Sequence, residues 1–263
     1  MPRPPHVTLA ELSRVLAEAT GVSLEGGLDR ALEHGLTAAA AALGEEPAAL
    51  ARRVAAREPD AIAALVEHAA IGETAFWRHP AQLAALRRLA ARARGPLSVW
   101  SAGCATGEEP YSVAITLLEA GRLGSGDRIL ATDLSERALA TARAATYGVR
   151  AARRLPPEVA GRWLEGTGEA RRVAGAARAL VSFERHNLAS DPTPAGGPFD
   201  VVLCRNVLIY FDPATAASAL YRLANSLRPG GALLLGPVEL PLASAMALER
   251  VVEAGATLLV RPR

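Results

Sequence analysis

The segment 101–110, SAGCATGEEP, sets two glycines four residues apart and follows them with two adjacent carboxylates and a proline. It comes directly after the apolar run Leu97, Ser98, Val99, Trp100 and leads into a helical pattern. A loop at the carboxyl end of a parallel strand must turn sharply and let a ligand reach backbone. Gly103 and Gly107 supply both, because they lack a Cβ and can take positive φ. The loop is not G-x-G-x-x-G and has no lysine, and Glu108 and Glu109 stand where a pyrophosphate would need amides and positive charge. Such a loop favours a cation, either a sulfonium or the ammonium of an amino acid. S-adenosylmethionine carries both and has no phosphate. The alternative is a plain strand-to-helix turn whose glutamates complement the helix dipole.

Three further runs end in the same way. RILATDLSERAL places Asp133 at the end of a second strand, where an acid can accept hydrogen bonds from both ribose hydroxyls. Ser135 can cap the helix that follows and leave Asp133 for the ribose; the alternative is that Asp133 is itself the cap. FERHNL brings Asn187, an amide able to bond an adenine edge, to a strand end. FDVVLCRNVLIYF ends its strand at Cys204, so Arg205 and Asn206 begin the exposed part. Polar residues at the ends of consecutive strands have no packing rationale and are expected to converge on one cleft.

The elements that would position them follow from periodicity. Thr8 with Glu11 reads as a capping box, and Leu9, Leu12, Val15, Leu16 and Ala19 recur at helical spacing up to Gly21. A second helix is expected from about Leu24 to Leu43, with Gly44 as its stop, and Pro47 and Pro59 each open another. From about residue 95 the texture changes. Strands are expected at 97–101, 128–132, 180–185, 199–204, 231–236 and 256–261, and helices at 109–120, 135–145, 213–227 and 241–249. Such alternation predicts a mostly parallel, doubly wound α/β sheet with helices on both faces. The stretch 147–179, rich in Arg, Gly, Pro and Glu, reads as an insertion with a helix near 156–164.

The 263 residues carry a net charge of +2, with arginine greatly outnumbering lysine, so no basic excess points to nucleic acid. Two cysteines, Cys104 and Cys204, lie too far apart for a metal pair, and no C-x-x-C or H-x-x-x-H spacing occurs; no metal is expected. The start lacks the apolar core of a signal peptide, and no apolar run approaches the ~20 residues of a membrane helix. A cytoplasmic protein in a reducing compartment, not inserted in a membrane, is the expectation.

The runs VWSAGCATGEEPYSVAITL, ATDLSERALATARAATYG, FERHNL, FDVVLCRNVLIYFD and LRPGGALLLGPVE resemble the chemotaxis receptor methyltransferases of the CheR type. So does ETAFWRHPAQLAAL at 73–86, similar to that family's T-x-F-F-R segment. The resemblance is strong over 71–240. It implies a class I S-adenosylmethionine-dependent methyltransferase, a Rossmann-like sheet with a small inserted β-subdomain after an all-α N-terminal domain. Boundaries on this reading are 1–70 for the helical domain, 71–95 for a linker and active-site segment, and 96–263 for the cofactor-binding domain, with 146–180 inserted. The implied activity is transfer of methyl from S-adenosylmethionine to glutamates of chemoreceptor cytoplasmic domains, leaving γ-methyl esters and S-adenosylhomocysteine.

The resemblance also assigns residues. Thr74 and Arg78 match positions that contact the cofactor, Glu109 the acid facing its methionine portion, and Asp133 the ribose acid. Asn187 and Leu188 match the adenine-side pair, Arg205 and Asn206 the strand-end pair, and Tyr210 a tyrosine beside the transferred group. Arg78 and Tyr210 are the catalytic candidates. Their alternatives are a surface ion pair for Arg78 and a core role for Tyr210, while Phe76 and Trp77 either wall the site or serve in packing.

The chain departs from the family at Gly72, where an asparagine is frequent, at Trp77, and at Pro237 and Val238, which replace His-Ser before Glu239. The second helix, usually basic, carries only Arg30 against Glu25, Asp29 and Glu33. That keeps open a different protein or small carboxylate as substrate, or a cofactor-binding signalling module with little turnover. The arginines of 143–178 would have to serve an RNA substrate, and their other readings are a solvated surface or a docking subdomain. A monomer is expected.

Overall fold

The computed structural model describes residues 7–23, 29–69, 72 and 74–263. The chain divides into two compact units, Met1–Ile71 with Ile209–Ala216, and Gly72–Leu208 with Ala217–Arg263. The first unit holds α1 (Leu9–Thr20), α2 (Asp29–Leu43), α3 (Pro47–Ala55) and α4 (Pro59–Ala69). Thr8 Oγ1 accepts the N–H of Glu11 at 3.2 Å, and Gly21 closes α1 in the left-handed region, as the capping pattern predicts. The expected start of the second helix near Leu24, and Glu25 with it, lie outside the described residues. Leu12, Leu16, Leu32, Leu50, Val54 and Leu65 are buried in this unit. Val22 forms an isolated antiparallel bridge with Phe211, and the Ser23 N–H donates to the Tyr210 carbonyl at 2.7 Å.

The second unit opens with α5 (Pro80–Arg92), whose Leu83, Leu86 and Ala90 are buried. The segment read from sequence as a linker therefore contains a 13-residue helix. There follow β1 (Ser98–Ala102), α6 (Glu108–Glu119), β2 (Arg128–Asp133) and α7 (Glu136–Ala144). Next come the inserted elements β3 (Thr146–Gly148), α8 (Val149–Ala152), α9 (Pro157–Trp163), β4 (Leu164–Glu165), β5 (Ala170–Val173) and α10 (Gly175–Arg178). The chain ends with β6 (Val181–Arg185), β7 (Phe199–Cys204), α11 (Pro213–Asn225), β8 (Leu227–Leu235), β9 (Glu249–Glu253) and β10 (Ala256–Val260). The insertion builds a three-stranded antiparallel sheet in the order β3-β5-β4.

The main sheet has seven strands in the order β6-β2-β1-β7-β8-β10-β9. The first five are parallel, and β10 runs antiparallel to both β8 and β9. Every residue of β1 and of β7 is buried, as expected for parallel strands covered on both faces. From β1 the chain winds outward to β2 and β6, then returns to β7 and winds the other way to β8. The switch point, where such sheets bind ligands, lies at the carboxyl ends of β1 and β7.

The helix expected at 241–249 is absent. Pro237 and Pro241 break the pattern into a 3₁₀ turn over Pro237–Ala243, and 249–253 pairs as the edge strand β9. The β9–β10 hairpin closes through Ala254 and Gly255, both at positive φ, as a two-residue hairpin turn requires. Among the described residues no helix is long and apolar enough to cross a membrane.

Asp127 ties the near ends of β1 and β2 together. Its side chain is fully buried, accepts the N–H of Leu97 at 2.8 Å, and pairs with Arg122 through Nε and Nη2 at 2.7 Å each. Burial by itself would raise this carboxyl, but the bonds from Arg122 and Leu97 outweigh it and hold it below the ordinary value. A depressed folded-state pKa means that the stabilisation is present above the unfolded value and is lost as pH falls through the folded one. Asp127→Asn should cost ~3–5 kcal/mol at neutral pH, the range for breaking a buried pair. It should also flatten the acid limb of stability measured by urea unfolding from pH 7 down to pH 3; an unchanged acid limb would remove Asp127 from acid unfolding.

Candidate active site

The loop between β1 and α6 begins at Gly103, whose φ is +73°. A Cβ there would lie 2.4 Å from Val207 Cγ2, so only glycine allows the loop to pass the segment after β7. Gly107, at φ +95°, enters α6 with the Tyr147 hydroxyl 2.8 Å from where its Cβ would be. That hydroxyl donates to the Thr106 carbonyl at 2.7 Å, and burial pushes it well above its ordinary pKa. Non-glycine residues with left-handed backbone gather in the same region: Trp77 (φ 58°), His79 (φ 58°), Ala105 (φ 48°) and Asn206 (φ 61°). Strained conformations of this kind persist where the surroundings over-determine them, and they concentrate at functional sites.

Four N–H groups of this loop are used within the protein. Gly103 and Cys104 both donate to the Thr132 carbonyl, at 2.8 and 2.9 Å, and Gly107 donates to the Cys104 carbonyl. Ala105 donates to Asp133 Oδ2 at 2.8 Å. A phosphate cradle would turn these donors outward. With Glu108 and Glu109 next in the chain, the arrangement disfavours a pyrophosphate and is compatible with a phosphate-free cofactor such as S-adenosylmethionine. Asp133 Oδ1 accepts the Ser135 N–H at 3.0 Å, while the Ser135 side chain caps α7 through Ala138. Ser135 is thus the cap, as expected, and Asp133 holds the loop at the end of β2.

The two carboxylates that follow are engaged within the protein. Both are buried. Glu108 accepts from the Thr106 hydroxyl at 2.7 Å, and its carboxyl is raised by burial, an effect the Thr106 bond partly offsets. Glu109 Oε1 accepts from Ser101 Oγ at 2.7 Å, and Oε2 pairs with Arg205 Nε at 2.6 Å. The charge of Glu109 is therefore met by Arg205 rather than left to meet a cation.

Arg205 is likewise directed inward. Its Nη1 donates to the Arg78 carbonyl at 2.7 Å and to Gln82 Oε1 at 3.1 Å, and Gln82 Nε2 donates onward to the Leu235 carbonyl at 2.7 Å. One network thus joins the ends of β1, β7 and β8 to α5 and α6.

Asn206 Oδ1 lies 3.5 Å from His79 Nε2. Burial, with the Arg205 charge next, holds the His79 pKa below its ordinary value. Asn187 and Leu188 are buried just beyond β6. Asn187 Oδ1 accepts the Ala189 N–H at 2.9 Å, and the Leu188 carbonyl accepts from Arg222 at 2.7 Å. Thr74 and Arg78 are half-buried.

Phe76 is a core residue, fully buried with its ring 4.9 Å edge-on to Tyr147, and does not wall a crevice. The Trp77 N–H donates to Ser112 Oγ at 3.1 Å. Tyr210 belongs with the first unit. Sequence reasoning missed Gln82, Ser101 and Glu239. The last is wholly buried after β8 and accepts four backbone N–H groups.

The family model "CheR methyltransferase, SAM binding domain" matches residues 72–253, beginning where the second unit begins. Chemotaxis protein methyltransferase 2 of Pseudomonas aeruginosa is 39% identical over 193 residues, 70% of this chain and 68% of that protein's length. A chemotaxis protein methyltransferase of Vibrio parahaemolyticus is 38% identical over 197 residues, 71% of each. The probable biofilm formation methyltransferase WspC of Pseudomonas aeruginosa is 35% identical over 201 residues, of which this chain spans 47% of the length. These matches place the chain in the CheR family of S-adenosylmethionine-dependent methyltransferases.

Proposed function

We propose that the protein methylates glutamate side chains of chemoreceptor cytoplasmic domains, forming γ-methyl esters. The observation that carries the cofactor side of this reading is the 103–107 loop, where the N–H groups of Gly103, Cys104, Ala105 and Gly107 go to Thr132, Asp133 and Cys104 rather than outward, alongside the family-model match over residues 72–253. The acceptor side rests on relatives named for chemotaxis. When bound, S-adenosylmethionine supplies a methyl group on a sulfonium.

A glutamate carboxylate is ionised near neutral pH, so the chain needs no general base to activate it. Its task is to hold the acceptor in line and to exclude water, a contribution of several of the ~7–11 kcal/mol available from proximity. Asp133 is assigned to the ribose, Asn187 and Leu188 to the adenine, and Thr74 and Arg78 to the amino-acid end of the cofactor, with Arg78 facing its carboxylate. Asn206 stands at the strand end. Tyr210 keeps the role the resemblance gives it, beside the transferred group. Glu109 and Arg205 act in this reading as the buried strut that fixes Ser101, Arg78 and Gln82. The protein is proposed to act in the cytoplasm as a monomer.

A second reading follows from α2. Over its described length it carries one arginine, Arg30, against Asp29 and Glu33, with no basic residue in its last turn. A helix of that charge suits an acceptor protein less acidic than a standard receptor, and the WspC-like relative is named for biofilm formation. Labelled S-adenosylmethionine incubated with the protein and membranes of its own host should leave alkali-labile label on a receptor glutamate. Label on a soluble protein would favour the second reading, and alkali-stable label would end both.

Asp133→Ala should weaken S-adenosylhomocysteine binding by ~1–3 kcal/mol, the range for losing charge-assisted hydrogen bonds; calorimetry on a folded variant showing wild-type affinity would remove the ribose role. Arg205→Met or Glu109→Gln leaves the other member buried and uncompensated, each at a cost of ~3–5 kcal/mol. The double variant should be less destabilised than the sum of the singles. Strict additivity in urea unfolding would show that the two do not act as a pair.

A further inference from the structure

Glu239 lies in the 3₁₀ turn after β8 and is wholly buried. Its Oε1 accepts the N–H groups of Val207 and Leu208, and its Oε2 those of Asn206 and Gly236, all at 2.8 Å. A carboxylate offers about four acceptor positions, so this one is saturated and keeps no capacity for a ligand. Among the described residues no cation pairs with it. Its charge is held by oriented peptide dipoles, and in a buried place such an arrangement persists only when every bond is made.

Three of the donors are consecutive, and they converge because Asn206 takes the left-handed conformation, turning the chain after β7 into a concave nest of N–H groups. Gly236 closes the nest from β8. A Cβ on it would lie 2.7 Å from Glu239 Oε2 and 3.2 Å from the Asn206 nitrogen. Without an anion inside, three successive donors would be left facing one another.

We propose that Glu239 is a positioning residue for cofactor binding, an internal anion that seats the strand-end segment 206–208 and thereby sets Asn206 against the crevice. The assignment rests on the reading of that crevice as the cofactor site. Glu239 acts through Asn206, and through Val207 whose side chain meets the Gly103 turn, rather than by touching the cofactor.

The test uses the full chain as wild type, Glu239→Ala and Glu239→Gln, titrated calorimetrically with S-adenosylhomocysteine while circular dichroism reports folding. Each titration is run in sodium formate, in sodium chloride of equal ionic strength, and in formamide. Both variants should lose about tenfold or more in affinity, as displaced positioning groups do. Formate fits the emptied nest and should restore most of the loss in Glu239→Ala, whereas chloride and formamide should not. Glu239→Gln, whose nest stays filled by an amide, should not respond. The proposal is overturned if folded Glu239→Ala binds like wild type, or if its loss is recovered equally by formamide or not at all by formate. If Glu239→Ala folds only in formate and then binds, the proposal stands; if both variants stay unfolded in every solution, Glu239 is a folding determinant and the proposal is overturned. A wild type that binds no S-adenosylhomocysteine sinks the reading of the crevice, whereas a wild type that binds alongside an unaffected Glu239→Ala sinks only the role of Glu239.

Discussion

Arg205 and Glu109 meet with side-chain exposures of 1% and 10%, and each spends its remaining hydrogen-bonding capacity on a different strand or helix. A guanidinium has a rigid fork of donors and a carboxylate has two oxygens, so a buried pair of this kind prescribes directions as well as distance. The directions here lead to the end of β1 through Ser101, to the segment before α5 through the Arg78 carbonyl, and to β8 through Gln82. Buried ion pairs are weak as net stabilisers but intolerant of a missing member. What this one contributes is registry: the loops at the strand ends cannot shift independently without leaving a charge in the core.

The second constraint is the handedness of single residues. Trp77, His79, Ala105 and Asn206 carry a Cβ in a backbone region that costs of the order of 1–3 kcal/mol per residue. Each of the four lies in or beside a segment pinned by a partly buried bond: Trp77 by Ser112, the Arg78 carbonyl by Arg205, Ala105 by Asp133, and Asn206 by Glu239. The strand-end region is thus assembled from loops whose preferred local conformations have been overruled, and the burial of α5, α6 and the strands beneath supplies the compensation.

Much of this was legible in the residue order. Four of the five parallel strands end beside Gly103, Asp133, Asn187 and Arg205, and the pattern located these to within a residue or two, whereas β8 begins at Leu227, ahead of the expected 231. Ser135 was recognisable as the cap of α7 because capping is local. What the pattern could not convey was partnership across the fold. Arg205 and Glu109 are 96 positions apart, and both look like exposed strand-end polar groups until the tertiary fold brings them together. Glu239 was harder still, since its partners are main-chain groups that converge only because Asn206 turns left-handed. The available hint was an acid three residues beyond a glycine at a strand end. β9, at Glu249–Glu253, was not anticipated, since the helix expected at 241–249 stopped where it begins and the Ala254–Gly255 turn that returns it to β10 has no asparagine or aspartate to announce it.

The helical unit is discontinuous in the chain: its last piece, Ile209–Ala216, is made only after the first two strands of the parallel sheet, the whole insertion, β6 and β7. During synthesis α1 to α4 emerge early and can coil locally, yet the Val22–Phe211 bridge and the bond from Ser23 to Tyr210 must wait for the ribosome to deliver the 209–216 segment. Completion of the helical unit is therefore timed by translation of the catalytic one. A fragment that stops before the 209–216 segment would carry all four helices and still lack the clasp that closes them.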